Sequence, residues 1–401
     1  MTSRERFAGA MMHRTPDRVP FDIGGTPLTG MRPHCRERLC ELLGFPLAPG
    51  GGDDERLLRW AGTDFRFVGN IVDLPSPHTR RISATGSVNC WGIRYAAVEG
   101  EWQIAGYPLR DATLDDLRRF RWPTPRVDEK QLAAWQAQAR RLREEGCYVV
   151  VASHPVFGIL ELGCWMCGYD DFLLKLACEP DFVRLFFDKV LEIQLAVTEQ
   201  YYAALGPYID LTTSGDDFGM QCNPLVSPDM FGELIAPYFA ARIQRTKEIA
   251  KCHFWHHSCG SVARLLDQII ACGVDILNPV QTSAAEMAPA DLKRRFGDRI
   301  VFWGAMDVQQ FLPRAKPAEV AAHARELIRA LGKDGGYVMA PAHEMQDDIP
   351  AENIVAWVEA VKRSAADAEG SRLRPGWQRQ QAAKQERSEH ETVGNQCDYA
   401  G

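Results

Sequence analysis

A chain of 401 residues with 46% hydrophobic and 25% charged residues is ordinary globular material, long enough for one large domain or two to three smaller ones. Its net charge of −7 and the lack of a basic stripe with interleaved aromatics argue against a nucleic-acid partner. Twelve cysteines scatter through the chain without the dense spacing of a disulfide framework. The first fourteen residues, with Arg4, Glu5, Arg6 and Arg14, lack the apolar core of a secretory leader, so reduced thiols in a cytoplasm are expected.

The spacing of Thr2 and Glu5 predicts a capped helix running to about His13. Pro16 and Asp17 break it, and Val19–Ile23 reads as a first strand that ends at Asp22-Ile23-Gly24-Gly25. From Arg56 to Pro125 short strand-like runs (Phe65–Val68, Trp91–Tyr95, Glu101–Ile104) mix with Pro and Gly, which predicts an irregular, hairpin-bearing insertion. The longest apolar stretch, Tyr148–Gly168, is interrupted by Ser153-His154-Pro155 and Glu161. It therefore reads as a strand, a turn and a further segment, and no membrane span is expected. From about Val127 onward, apolar runs of about five residues alternate with longer amphipathic segments, the pattern of repeated βα units around a parallel sheet. The expected strands are Tyr148–Ala152, Ile209–Thr213, His253–His257, Asp275–Asn278, Ile300–Trp303 and Tyr337–Ala340. Ser227-Pro228-Asp229 marks a helix start, Gly332 a helix end, and Pro350 the start of a last helix. With Val19–Ile23 these make seven strands, and Phe65–Val68 could supply an eighth. Periodicity alone leaves a closed barrel and a doubly wound sheet both open. The Gln/Arg/Glu/Ser-rich segment 365–401 is expected to be a disordered tail.

Reactive residue types recur where the strands end. Asp216 and Asp217 follow one strand, His257 and Cys259 the next, then Asn278 and Gln281, Asp307 and Gln309, and His343. In a parallel barrel such positions converge on one rim. The alternative is that loops are simply polar. His257-Ser258-Cys259-Gly260 is the sharpest element. Alternate residues of an extended segment point the same way, so imidazole and thiol could share a metal ion such as zinc, with His343 as the third ligand. The competing reading is a cysteine in a tight Gly turn beside a solvent-facing histidine. Cys164-Trp165-Met166-Cys167 has the spacing of a redox or zinc pair but no second pair, and is read as helix packing. Adjacent Asp216 and Asp217 should face opposite ways, one acting in the cavity by proton transfer or substrate binding and the other holding a loop. Asp22 and Arg32 flank a Gly/Thr/Pro loop suited to gripping an anionic group. No P-loop, dinucleotide fingerprint or HExxH helix occurs.

Several segments together resemble the uroporphyrinogen decarboxylase superfamily: Met1-Thr2-Ser3-Arg4-Glu5-Arg6 with Pro16-Asp17-Arg18-Val19-Pro20, Gly215-Asp216-Asp217-Phe218-Gly219, His257-Ser258-Cys259-Gly260-Ser261, Gly273 through Gln281, Phe296-Gly297-Asp298-Arg299, and His343 through Asn353. The resemblance runs to about Arg363. It implies a (β/α)₈ TIM barrel spanning residues 1–364, with the insertion carried inside it. The superfamily holds the cofactor-free decarboxylase of haem synthesis and methyltransferases that move a methyl group between a corrinoid protein and a thiol or tetrahydrofolate. Gly24 through Arg32 stands where decarboxylases carry an Arg-rich carboxylate grip, and only Arg32 is basic there. His257 and Cys259 resemble the first two zinc ligands of the corrinoid-linked branch, in which a Cys near the last strand is the usual third; here that segment offers His343. The resemblance thus implies a methyltransferase supplied with methyl-corrinoid by a partner protein. In it Asp216, Asp217 and Asp307 are catalytic and Asp22, Arg32, Asn278, Gln281 and Gln309 bind the small-molecule acceptor or donor. The alternatives are decarboxylation of a tetrapyrrole and a non-catalytic corrinoid- or tetrapyrrole-binding protein.

Overall fold

The computed structural model describes residues 1–46 and 55–373. The expected capped helix is Ser3–Met11, with Thr2 and Glu5 bonding reciprocally across its first turn. After β1 (Phe65–Val68) comes an antiparallel excursion of four strands, β2 (Arg80–Ser83), β3 (Gly86–Val88), β4 (Arg94–Val98) and β5 (Glu101–Gly106). The remaining strands are β6 (Val149–Ala152), β7 (Leu211–Gly215), β8 (His253–His257), β9 (Ile276–Val280), β10 (Val301–Met306) and β11 (Tyr337–Pro341). With β1 they form one seven-stranded parallel sheet in the order β1-β6-β7-β8-β9-β10-β11. Helices intervene between successive strands, the longest being Pro180–Leu205. Of these helices, none among the described residues is long and apolar enough to cross a membrane.

The sheet is curled, and ring packing proves it. β1 and β10 lie five strand spacings apart, about 24 Å in a flat sheet, yet the rings of Phe65 and Trp303 pack against each other at a tilt with centroids 4.4 Å apart. One face of each strand feeds an inner cluster: Phe65, Val149, Val151, Leu211, Trp255, Ile276, Val301, Trp303, Val338 and Ala340. Their strand neighbours, such as Val150, Phe254, Leu277 and Met339, join the outer cluster beneath the helices. Both faces are covered, as parallel sheets require. Phe7, from the opening helix, plugs the inner cluster from the amino-end side, edge-on to Phe65 at 5.6 Å.

The expected first strand Val19–Ile23 is not a strand. It makes a single bridge, Phe21 to Met339. Pro20 has no N–H to give, and Asp22 turns its carboxylate back onto Gly25, Thr26 and Thr29, which ends the extended run after three residues. The segment still reaches both sheet edges. Asp22 N–H donates to Met339 O, Met339 N–H to Pro20 O, and Asp64 N–H to Phe21 O, each at 2.9 Å. Trp91 is likewise outside a strand, because Asn89 Oδ1 accepts from both Trp91 N and Ile93 N and makes a turn there. Ser227 caps its helix as expected. The last helix is Ala351–Leu373, and residues 374–401, most of the expected tail, lie outside the described residues.

Candidate metal centre

Strand alternation decides which histidine enters the inside of the curled sheet. On β8, Trp255 and His257 share the inner face, with ring centroids 6.1 Å apart. His256 points outward, fully buried against Phe218 and Phe239. After His257 the chain turns sharply. A Cβ at Gly260, whose φ is +79°, would meet Met220 O at 2.6 Å, so only glycine permits this approach. The turn brings Cys259 Sγ to 3.3 Å from His257 Nε2. His343 enters from just beyond β11, its ring 5.6 Å from that of His257. The donor atoms of His257, Cys259 and His343 lie within 4.8 Å of one another.

Three acceptors hold this element in place, and each had been expected to meet substrate or reacting atoms. Asn278 Oδ1 lies 2.6 Å from His257 Nδ1. Asp217 Oδ1 accepts from Cys259 N–H at 2.8 Å, and Gln281 Oε1 from Gly260 N–H at 2.8 Å. The Asn278 amide is itself oriented by Nδ2 donating to Trp303 O. With the Nδ1 proton given to Asn278, His257 presents its Nε2 lone pair toward Cys259. This is the outer-sphere arrangement that metal-ligating histidines use.

Tetrahedral zinc with bonds of about 2.0–2.3 Å needs ligand atoms roughly 3.3–3.8 Å apart, and the Sγ–Nε2 separation meets that. Burial, then His257, lowers the His343 pKa, so that imidazole is neutral and able to ligate. Burial together with Asp217 and Glu161 pushes the Cys259 thiol up to about 12; left alone it stays protonated, and a cation is what would make it a thiolate. Two imidazoles and a thiol are a donor set that zinc uses, and the Cys259–His257 pair already stands at ligand spacing.

The two adjacent aspartates divide as alternation predicts. Asp217 is half-buried beside Cys259, and its carboxylate lies 3.9 Å from His257 Nε2. Asp216 is fully buried elsewhere. Its two oxygens accept the N–H groups of Ile159, Leu160 and Glu161, capping the Ile159–Cys167 helix from outside. It is a structural cap and not a catalytic group, and burial raises its pKa to about 6. Asp22 is likewise spent on its own loop, with burial raising it to about 7. Arg32 pairs with Glu101 of β5 and with Glu344, so both charges it meets belong to the protein. Asp307, with Gln309, joins Cys259, Gln281 and His343 around one small cavity.

Glu161 escaped the sequence reading. It stands in the helix that Asp216 caps, and burial together with Asp217 and Asp216 lifts its pKa to about 9. The available signal was its position as the lone acid in the apolar stretch Tyr148–Gly168. Cys164 and Cys167 of that helix are buried core residues whose thiols burial pushes upward.

The chain resembles known proteins in sequence and in fold. The family model for uroporphyrinogen decarboxylase (URO-D) matches residues 92–364. Uroporphyrinogen decarboxylase of Enterobacter sp. (strain 638) is 32% identical over 101 residues, 25% of this chain and 27% of that protein. The enzyme of that name from Wolinella succinogenes is 34% identical over 79 residues, 20% of this chain and 22% of that protein. The chain thus spans about a quarter of the length of the curated relatives it matches. A solved structure of a methyltransferase from Methanosarcina mazei superposes with a TM-score of 0.61 at 17% identity, covering 90% of this chain and 99% of the other, a likeness of fold. By its sequence, the chain belongs to the uroporphyrinogen decarboxylase (URO-D) family.

Proposed function

We propose that the protein is an enzyme that transfers a methyl group between a corrinoid carried by a partner protein and a small acceptor, a thiol or tetrahydrofolate. The observation that carries this reading is the convergence of His257, Cys259 and His343, with His257 oriented by Asn278. His257, Cys259 and His343 would hold zinc, leaving a fourth position for the acceptor. When bound, zinc supplies Lewis acidity that lowers the pKa of a thiol. The chain's own residues do the rest. Asn278 fixes the imidazole, while Asp217 and Gln281 fix the Cys259–Gly260 turn. Inner-face Trp255 and Trp303, both fully buried, make a dry floor beneath His257.

This reading takes the Pro20–Asp22 segment as the eighth stave of a (β/α)₈ barrel, since it hydrogen-bonds on both sides of the sheet's opening. The corrinoid partner would then meet the rim at the carboxyl ends of the strands, where barrels place their sites.

Zinc content of purified protein, measured beside Cys259→Ser, tests the metal. About one zinc per chain is expected for the native protein, with a fall of at least tenfold in the variant. Equal, negligible zinc in both removes the metal reading. Incubation with methylcobalamin and homocysteine, coenzyme M or tetrahydrofolate in turn, followed by loss of methyl–cobalt absorbance, tests the transfer. Formation of coproporphyrinogen from uroporphyrinogen would replace it with decarboxylation.

A further inference from the structure

We infer that the cleft between the antiparallel excursion and the sheet rim is a second binding site, taking a planar organic ring that carries carboxylate groups. The inference goes beyond the methyl-transfer reading and needs no metal. The cleft is open to solvent and holds about 640 Å³, within the range of about 300–1,000 Å³ usual for small-molecule sites. Its inner wall is the rim, with Asn70 after β1 and Phe157 after β6. Its outer wall is the excursion, with Arg80, Arg81, Asn89 and Trp102. None of His257, Cys259 and His343 lines it.

Strand register builds the outer wall. Arg81 pairs with Ser87 and Ser87 with Tyr95, while Trp102 pairs with Ala97, two residues along β4 from Tyr95. Alternation therefore puts Arg81 and Trp102 on one face of the excursion. The hairpin tip is held by Glu101, which pairs with Arg32 at 3.2 Å. Trp102 is 53% exposed, and with Phe157 it offers apolar surface on which a ring can lie. The polar lining consists mainly of donors. Arg80 makes no ion pair among the described residues, and Arg81 donates to the backbone carbonyls of Ser83 and Ala84. Asn70 Oδ1 accepts from Ile71 N–H, and Asn89 Oδ1 from Trp91 and Ile93 N–H, which leaves both Nδ2 groups to donate elsewhere. The one acid of the lining, Asp73, stands beside the Cys90 thiol. Two guanidinium groups thus face one carboxylate, and their forked donors match an incoming carboxylate. Exposed ion pairs are weak alone, so charge and ring contact must act together. Inorganic phosphate meets the charge but leaves the tryptophan uncovered. The required chemistry occurs in the aminobenzoyl-glutamate portion of a folate and in the acid side chains around a tetrapyrrole.

Calorimetric titration of the full chain with 4-aminobenzoyl-glutamate, uroporphyrin and inorganic phosphate tests the site, on metal-free and zinc-treated protein alike. At least one of the two organic anions is expected to bind, with phosphate weaker by about tenfold or more. Binding of the first alone identifies a folate source, and of the second alone a tetrapyrrole source; binding of both supports the shared chemistry. The analogue 4-aminobenzamide keeps the ring and loses the carboxylates, so it should bind about tenfold more weakly than 4-aminobenzoyl-glutamate where that anion binds. Arg80→Gln with Arg81→Gln, and separately Trp102→Ala, should each weaken binding by about tenfold. All three side chains are exposed, so thermal melting should not change. No binding of either organic anion, phosphate held as tightly as they are, or affinity unaltered in either variant overturns the inference. Zinc content is read independently of these titrations, so this site and the metal reading fail separately.

Discussion

The two rims of the parallel sheet use the same residue type for opposite purposes. At the amino ends, aspartates stand immediately before strands and are saturated with cations. Asp64, before β1, accepts from Ser3, Arg6, Arg18 and Phe21 N–H. Asp210, before β7, takes Arg4, Arg143 and Val150 N–H; Asp275, before β9, takes Lys247 and Phe254 N–H. Each clamps the start of one strand to its neighbour. At the carboxyl ends, Asp216, Asp217, Asp307 and Glu161 make no ion pair with Lys or Arg among the described residues. Their bonded partners are mostly backbone N–H groups, with Arg242 acting on Asp216 at longer range and His257 near Asp217, and burial raises two of their pKa values, Asp216 to about 6 and Glu161 to about 9. One rim spends carboxylates on holding the fold; at the other, Asp216 caps a helix with Arg242 nearby, while Asp217, Asp307 and Glu161 are left without a Lys or Arg partner beside the candidate metal centre.

The largest break in that contrast should come from Asp64→Ala. It removes the carboxylate that Arg6 and Arg18, 9% and 14% exposed, share, leaving Arg18 without an acid and Arg6 with Asp17 alone, and it removes the acceptor of Ser3 and Phe21 N–H as well. A loss of about 3–5 kcal/mol is expected in urea unfolding, with zinc content per folded molecule unchanged. A loss under 1 kcal/mol would show that the lower rim does not hold the fold in the way its bonding suggests. Asn278→Ala should do the reverse, weakening zinc binding roughly 10- to 100-fold in a competition titration while costing little stability. Asn278→Asp, which retains an acceptor for Nδ1–H, should recover most of the affinity.

The smallest effect sharpens the comparison through pH. Glu161 has a folded pKa of about 9 against an ordinary 4.5. Between those values the unfolded chain has released a proton that the folded chain keeps, so stability falls as pH rises through this window and is level outside it. Glu161→Gln should flatten the fall by roughly 1–3 kcal/mol between pH 5 and pH 9, after allowing for solvent screening. Thermal melts of metal-free protein at stepped pH would check it; parallel curves for both proteins would sink it.

Strand positions were largely legible because a buried parallel sheet imposes short apolar runs, and β6 through β11 each overlap their expected ranges. Val19–Ile23 misled because its composition is strand-like, whereas backbone pairing there is limited by Pro20 and by the Asp22 turn. The HxC element and His343 could be read from spacing plus topology. The roles of Asn278, Gln281 and Asp217 could not. Whether an amide at a strand end meets a substrate or a neighbouring imidazole depends on a rotamer, and no one-dimensional pattern encodes it. Asp216 shows the same limit more sharply, because the helix it caps begins 57 residues earlier in the chain.

His256 and His257 are chemically identical neighbours with opposite fates. The first is sealed among phenylalanines with neither ring nitrogen bonded, and burial drives its pKa far down; the second faces the thiol. Their assignment depends only on odd or even position along β8, which is pinned by pairing on both flanks, Thr213 with Trp255 and Trp255 with Ile276. A slip of one residue would turn the wrong imidazole inward and carry Trp255 out of the floor at the same time. The site is therefore protected by counting, and any lineage that drifts by one residue within this strand must surrender the thiol–imidazole pair and the tryptophan floor together.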